Sequence, residues 1–105
     1  MEFQQLVERA RHVRQLYAEH ERRTAGAEWS TTDLALGLVG DVGDLVKLVQ
    51  AKEGLRNVGD VDLKLAHELA DCLWSLIVLA DRLGIDLQLA FVETLDGLER
   101  VLDAS

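Results

Sequence analysis

Residues 61–83 read Val-Asp-Leu-Lys-Leu-Ala-His-Glu-Leu-Ala-Asp-Cys-Leu-Trp-Ser-Leu-Ile-Val-Leu-Ala-Asp-Arg-Leu, and this stretch decides the fold. Leu69, Leu73, Leu76, Ala80 and Leu83 recur at spacings of 4, 3, 4 and 3, the period of one helical face. Trp74, Ile77, Val78 and Leu79 lie off that seam and carry apolar surface onto further faces. A helix apolar over so much of its circumference must be covered on more than one side. A chain of 105 residues has little room to do this alone, so a second copy is expected to cover part of it.

The flanking segments have the same period. Phe3, Leu6, Ala10, Val13 and Tyr17 form one stripe on an amphipathic helix predicted over 3–23, broken by Thr24-Ala25-Gly26-Ala27. Trp29 follows alone in a polar connector. Ser30-Thr31-Thr32-Asp33 offers a run of N-cap candidates before a second helix predicted from about Leu34 to Lys52, with Leu38, Val42, Leu45 and Val49 inside. Gly54 to Asp60 reads as a loop. Gly84 marks a helix stop, and Asp86 can cap a fourth helix carrying Leu87, Ala90, Phe91, Leu95, Leu98 and Leu102. No β-alternation or repeat competes. The expected fold is all-α, a four-helix bundle core in a single domain over 1–105, assembled as an oligomer.

Composition narrows the function. Nineteen acidic side chains against 11 basic give a formal charge of −8, which argues against sequence-independent nucleic-acid binding, because phosphate backbones are held by lysine and arginine stripes. Cys72 is the single cysteine and there is no proline, so a disulfide scaffold is excluded and a reducing compartment is expected. The longest apolar run, Leu73 to Ala80, is less than half of the roughly 20 residues that a membrane helix requires. Met1-Glu2-Phe3-Gln4 shows neither a basic nor an apolar export region, and a cytoplasmic protein is the expectation.

The two most apolar segments nevertheless carry acidic pairs. Asp41 and Asp44 stand three residues apart in Gly40-Asp41-Val42-Gly43-Asp44, and Glu68 and Asp71 stand three apart in the next helix. Each pair shares one helical face. One such pair alone is ordinarily a solvated surface feature. Two pairs on consecutive helices can converge, and four crowded carboxylates stay ionised only beside a cation. Oxygen ligands select a hard cation, so Mg2+ is indicated, with Mn2+ as an option. Glycines at 37, 40 and 43 leave this part of the second helix bare, for a ligand or for a closely packed helix, at a propensity cost of up to ~1 kcal/mol each.

At this point the sequence resembles a family. Leu34 to Gln50, with its Gly-Asp-Val-Gly-Asp, and Glu68-Leu-Ala-Asp-Cys-Leu-Trp-Ser-Leu-Ile-Val-Leu-Ala-Asp-Arg-Leu-Gly-Ile-Asp-Leu resemble the MazG-like all-α nucleoside triphosphate pyrophosphohydrolases, and most closely the small dCTP pyrophosphatase branch. The resemblance covers about residues 15–92. It implies an oligomeric architecture, dimer or tetramer, and a metal-dependent hydrolysis of a nucleoside triphosphate to monophosphate and pyrophosphate. By the same resemblance Asp41, Asp44, Glu68 and Asp71 are metal ligands, with Glu68 and Asp71 catalytic. Trp29 falls where related enzymes place an aromatic against the base, and Lys52 falls near a substrate segment.

Three departures bear on activity. The first pair is aspartate where the family has glutamate, so each arm is one methylene shorter. Gly40 stands where a further acidic residue is often found. The family's C-terminal lysine and asparagine would fall near Thr94 and Leu98, neither of which can replace the cation. Trp29 as a lid on the core, Lys52 as a charge at a helix end, His67 as structural and Cys72 as a small buried apolar residue are the plain alternatives. Two functions therefore stand open. One is an active nucleotide pyrophosphohydrolase; the other is a catalytically silent helical dimer that senses nucleotides or binds protein.

Overall fold

The computed structural model describes residues 1–104. Four helices follow in order: α1 (Phe3–Ala25), α2 (Thr31–Lys52), α3 (Val61–Arg82) and α4 (Leu87–Asp103). No strand occurs among the described residues.

The termini show why these segments start and stop where they do. Helix α2 begins three residues before the expected Leu34. Ser30 Oγ accepts from the Asp33 amide at 3.1 Å, while Asp33 Oδ2 accepts from the Ser30 amide at 2.9 Å. Of the four consecutive cap candidates only Ser30 has an acidic residue three positions on, and that reciprocal pair fixes the start. At the end of α1, Gly26 takes φ +80°, a left-handed conformation that costs glycine nothing, and its N–H donates to the Arg22 carbonyl. Asp86 caps α4 as expected, its Oδ1 accepting from the Leu89 amide at 3.0 Å.

Helices α2 and α3 form a long antiparallel hairpin. Lys52 Nζ meets Asp62 Oδ1 at 2.5 Å at the turn end, and Arg82 Nη1 reaches Thr31 Oγ1 at 3.4 Å at the other. Helix α1 lies on α3, pinned where Trp74 Nε1 donates to the Ala10 carbonyl at 3.2 Å and where Arg11 grips Asp81 through two bonds of 2.5 and 3.0 Å. Ala10, Leu34, Ile77 and Val78 make the core, flanked by Phe3, Val7, Trp74, Leu79 and Leu87. Helix α4 gives Leu87 to the margin of that core but has no buried residue of its own.

Of the seam read off the sequence, only Ala80 turns inward. Cys72, Ser75, Ile77, Val78 and Ala80 are buried, whereas Leu69, Leu73, Leu76 and Leu83 are between 47% and 61% exposed. Both faces are apolar, and α1 and α2 cover one of them. The subunit is open in consequence. Its radius of gyration is 16.8 Å against about 13 Å for a compact domain of this length. It exposes 7768 Å² where a folded monomer of 11.7 kDa exposes about 5,900 Å², an excess of about 1,900 Å².

Candidate functional site

The antiparallel hairpin sets the middle of α2 against the first half of α3, and there three of the four expected carboxylates meet. One oxygen from each of Asp41, Asp44 and Glu68 lies within 4.8 Å of the others. Asp41 and Glu68 are half-buried and Asp44 is exposed. Exposed acidic groups often gather without binding anything; Glu68 distinguishes this group, because its Oε1 is buried and has no hydrogen-bond partner. A buried carboxylate oxygen left unpaired is costly, and a proton, a hydrogen-bond donor or a cation can satisfy it. Burial, followed by the charges of Asp41, Asp71 and Asp44, raises the Glu68 pKa above the ordinary glutamate range, against a smaller opposing effect of His67.

Asp71 is not part of this triad. Its Oδ2 lies 3.3 Å from Nε2 of His67, one turn earlier, although its charge still reaches Glu68. Both pairs are thus on facing helices, and three of the four carboxylates lie close enough together that they could hold one cation.

Two cavities flank the triad along the hairpin. One, of about 720 Å³, is walled by Tyr17, Trp29 and Trp74, with Arg14, Asp41 and Asp71 among its polar lining. The Tyr17 and Trp74 rings are 5.6 Å apart and inclined at 59°. Trp29 is placed from two directions. Its amide donates to Glu21 Oε1 at 2.8 Å, and its ring edge lies so near Gly37 that a Cβ there would come within 3.2 Å of it. Gly37 therefore serves the tryptophan, while Gly40 and Gly43 face open space. Arg14, almost wholly buried, donates from Nη2 to Glu21 and leaves Nε unpaired. Burial works to raise the Glu21 pKa, but the Trp29 amide together with the Arg14 hydrogen bond and charge outweighs it, and the net shift is downward.

The other cavity, of about 710 Å³, begins at Asp44 and Glu68 and is lined by Lys47, Lys64, Arg56 and His67 over an apolar floor that includes Leu63. These cations are absent from the residues singled out by sequence. Lys47 stands three after Asp44 and Lys64 four before Glu68, so both share a helical face with a triad carboxylate, a spacing that could have found them. Arg56 belongs to the connector, and only the fold brings it there.

Lys52 lines neither of these cavities and is paired with Asp62. Thr94 returns its hydroxyl to the Ala90 carbonyl at 2.8 Å, and Leu98 is exposed on α4. Cys72 is buried, and burial, then the charges of Glu68, Asp41 and Asp71, raises its pKa; a thiol so placed is no nucleophile. No helix is long and apolar enough to cross a membrane among the described residues. Comparison with protein-family models, with curated proteins and with solved structures finds no match to this chain.

Proposed function

We propose that this protein is a divalent-cation-dependent nucleoside triphosphate pyrophosphohydrolase of the MazG-like kind, releasing monophosphate and pyrophosphate. The observation that carries the reading is the triad of Asp41, Asp44 and Glu68, with its unpartnered buried oxygen, standing between an aromatic cavity and a cationic one. Its residues suit Mg2+ or Mn2+, since three carboxylate oxygens are the donor set of a hard cation.

Such a cation, when bound, neutralises phosphate charge and lowers the pKa of a coordinated water. The chain's own groups do the rest. Tyr17, Trp29 and Trp74 offer ring faces on which a base can stack, and stacking accepts any base because every base has a π face. Asp41, at the margin shared by triad and aromatic cavity, puts the reacting phosphate next to the sugar end of the substrate. Glu68 holds the cation, and Asp71, outside the triad and steadied by His67, accepts the proton of the attacking water. Lys52 is not needed for this scheme.

The excess surface supports a homodimer or homotetramer. The outward Leu69–Leu83 seam of α3 and the apolar residues of α4 are what a second copy would cover. A compartment such as the cytoplasm fits the lone buried Cys72.

The silent-dimer reading is favoured by one observation, that Thr94 and Leu98 supply no cation. A screen of canonical and oxidised nucleoside triphosphates with each metal, reading pyrophosphate release, separates the two. Turnover of any triphosphate establishes the enzyme, and binding without turnover under either metal establishes the silent form.

A further inference from the structure

We infer that the cavity between the second half of α2, the connector 53–60 and the start of α3 is a diphosphate site, in which Lys47, Lys64 and Arg56 hold the β,γ-diphosphate of a substrate and then free pyrophosphate. The inference rests on the proposed pyrophosphohydrolase reading and goes beyond it, because it moves the phosphate-binding cations away from the C-terminal helix.

Charge distribution is the first support. The chain is acidic by eight charges, yet three of its 11 lysines and arginines line this one cavity. Of the other eight, Arg11 is paired with Asp81, Arg14 with Glu21, Arg22 with Glu28 and Lys52 with Asp62, Arg82 bonds Thr31, and Arg9, Arg23 and Arg100 are dispersed over the surface away from this cavity. The ammonium groups of Lys47 and Lys64 have no hydrogen bond or ion pair among the described residues. Arg56 is steadied by a 2.8 Å bond from Nε to Gln50 Oε1, which leaves both terminal nitrogens for a ligand. An anchored guanidinium beside two unengaged ammonium groups is a set that phosphate oxygens satisfy.

Order along the hairpin is the second. On α2, Gly37 and Asp41 line the aromatic cavity, whereas Asp44 and Lys47 line the cationic one; on α3, Trp74 and Asp71 line the first, and Glu68 and Lys64 the second. Ten residues of helix from Gly37 to Lys47 span about 15 Å. Aromatic walls, carboxylates and cations thus follow one another as base, reacting phosphate and leaving diphosphate do in a nucleoside triphosphate. A monophosphate engages the triad alone, so the substrates selected are those with a diphosphate tail.

Calorimetric titration of the full chain with pyrophosphate, with and without Mg2+, tests this directly. Wild type should bind pyrophosphate far more tightly than orthophosphate. Lys47→Ala with Lys64→Ala should weaken pyrophosphate binding by roughly tenfold or more, the loss expected for two charge-assisted contacts. Arg23→Ala, an exposed cation on α1 outside both cavities, should leave it unchanged. Lys47→Gln and Lys64→Gln singly, checked for helicity by circular dichroism, give the same answer should the double variant not fold. Wild-type affinity in the lysine variants, an equal loss in Arg23→Ala, or no pyrophosphate binding by wild type overturns the inference. A chain that binds pyrophosphate through these lysines but hydrolyses no triphosphate keeps the site and loses the hydrolase. Hydrolysis with unchanged pyrophosphate affinity in the variants does the reverse.

Discussion

Replacing Glu68 with glutamine should make the metal-free protein more stable and, at the same time, indifferent to magnesium. The three triad oxygens lie within 4.8 Å of one another, and two of the three repulsive pairs include Glu68. With Asp44 exposed and Asp41 and Glu68 half-buried, a water-like dielectric sets the lower bound, about 0.9 kcal/mol for each pair at that distance. Removing two pairs relieves about 1–2 kcal/mol after screening, which for a domain of about 100 residues raises the melting temperature by roughly 5–10 °C. The side-chain amide introduced by Glu68→Gln can also donate to Asp41 or Asp44, where the carboxylate could not. Magnesium at about 100 times its dissociation constant should stabilise wild type by about 2.7 kcal/mol and the variant by much less. The assay is thermal unfolding in chelator and in Mg2+ at fixed protein concentration. A variant no more stable than wild type in chelator, and shifted by magnesium as wild type is, refutes the cation-holding role of the triad.

Three further outcomes follow from the packing. Leu76→Asp places a charge on an exposed position of the isolated subunit, yet it should break the assembly, because the outer seam of α3 belongs to the proposed oligomer interface; sedimentation should show species larger than 11.7 kDa for wild type and a monomer for the variant. Arg14→Met leaves Glu21 buried without its cation and should destabilise by ~3–5 kcal/mol in urea melts, with Trp29 emission shifting as its amide anchor loosens. Asp81 has its pKa lowered by the Arg11 hydrogen bond, against the opposing effect of burial and with the help of the Arg11 charge, so its contribution is present above the ordinary aspartate pKa and is lost as pH falls through the lowered value. Asp81→Asn should therefore lower stability near neutral pH, where that contribution is fully present, and flatten the acid limb, the two stability curves converging at low pH.

Local signals carried the helices, while partner choice was hidden. Asp86 and Gly84 placed the α3–α4 boundary because a cap and a stop act within one turn. Ser30 could have been chosen over Asp33 from the acidic residue at 33, since a capping box needs its partner three positions on. The inward face of α3 was not legible, for Ile77 and Val78 are as apolar as Leu73 and Leu76, and periodicity does not say which neighbour comes from the same chain. At the site, Asp41, Asp44 and Glu68 were legible as acidic residues in apolar helices. Asp71 falls outside the triad although Asp41 and Asp44, at the same spacing, both contribute; its carboxylate lies 3.3 Å from His67 Nε2 instead, a choice that spacing does not encode. Arg14 reads as an ordinary polar-face residue until the connector folds Trp29 back onto Glu21. Arg56 gains its place from the turn between α2 and α3, which no spacing rule encodes.

The central claim is cleavage between the α and β phosphates, and hydrolysis of a nucleoside triphosphate in water enriched in oxygen-18, with Mg2+ or Mn2+ present, tests it most directly. Attack at the α phosphorus gives a labelled nucleoside monophosphate and unlabelled pyrophosphate, the outcome expected from a triad set between aromatic and cationic cavities. Nucleoside diphosphate with labelled orthophosphate, or no turnover of any triphosphate with either metal, contradicts it.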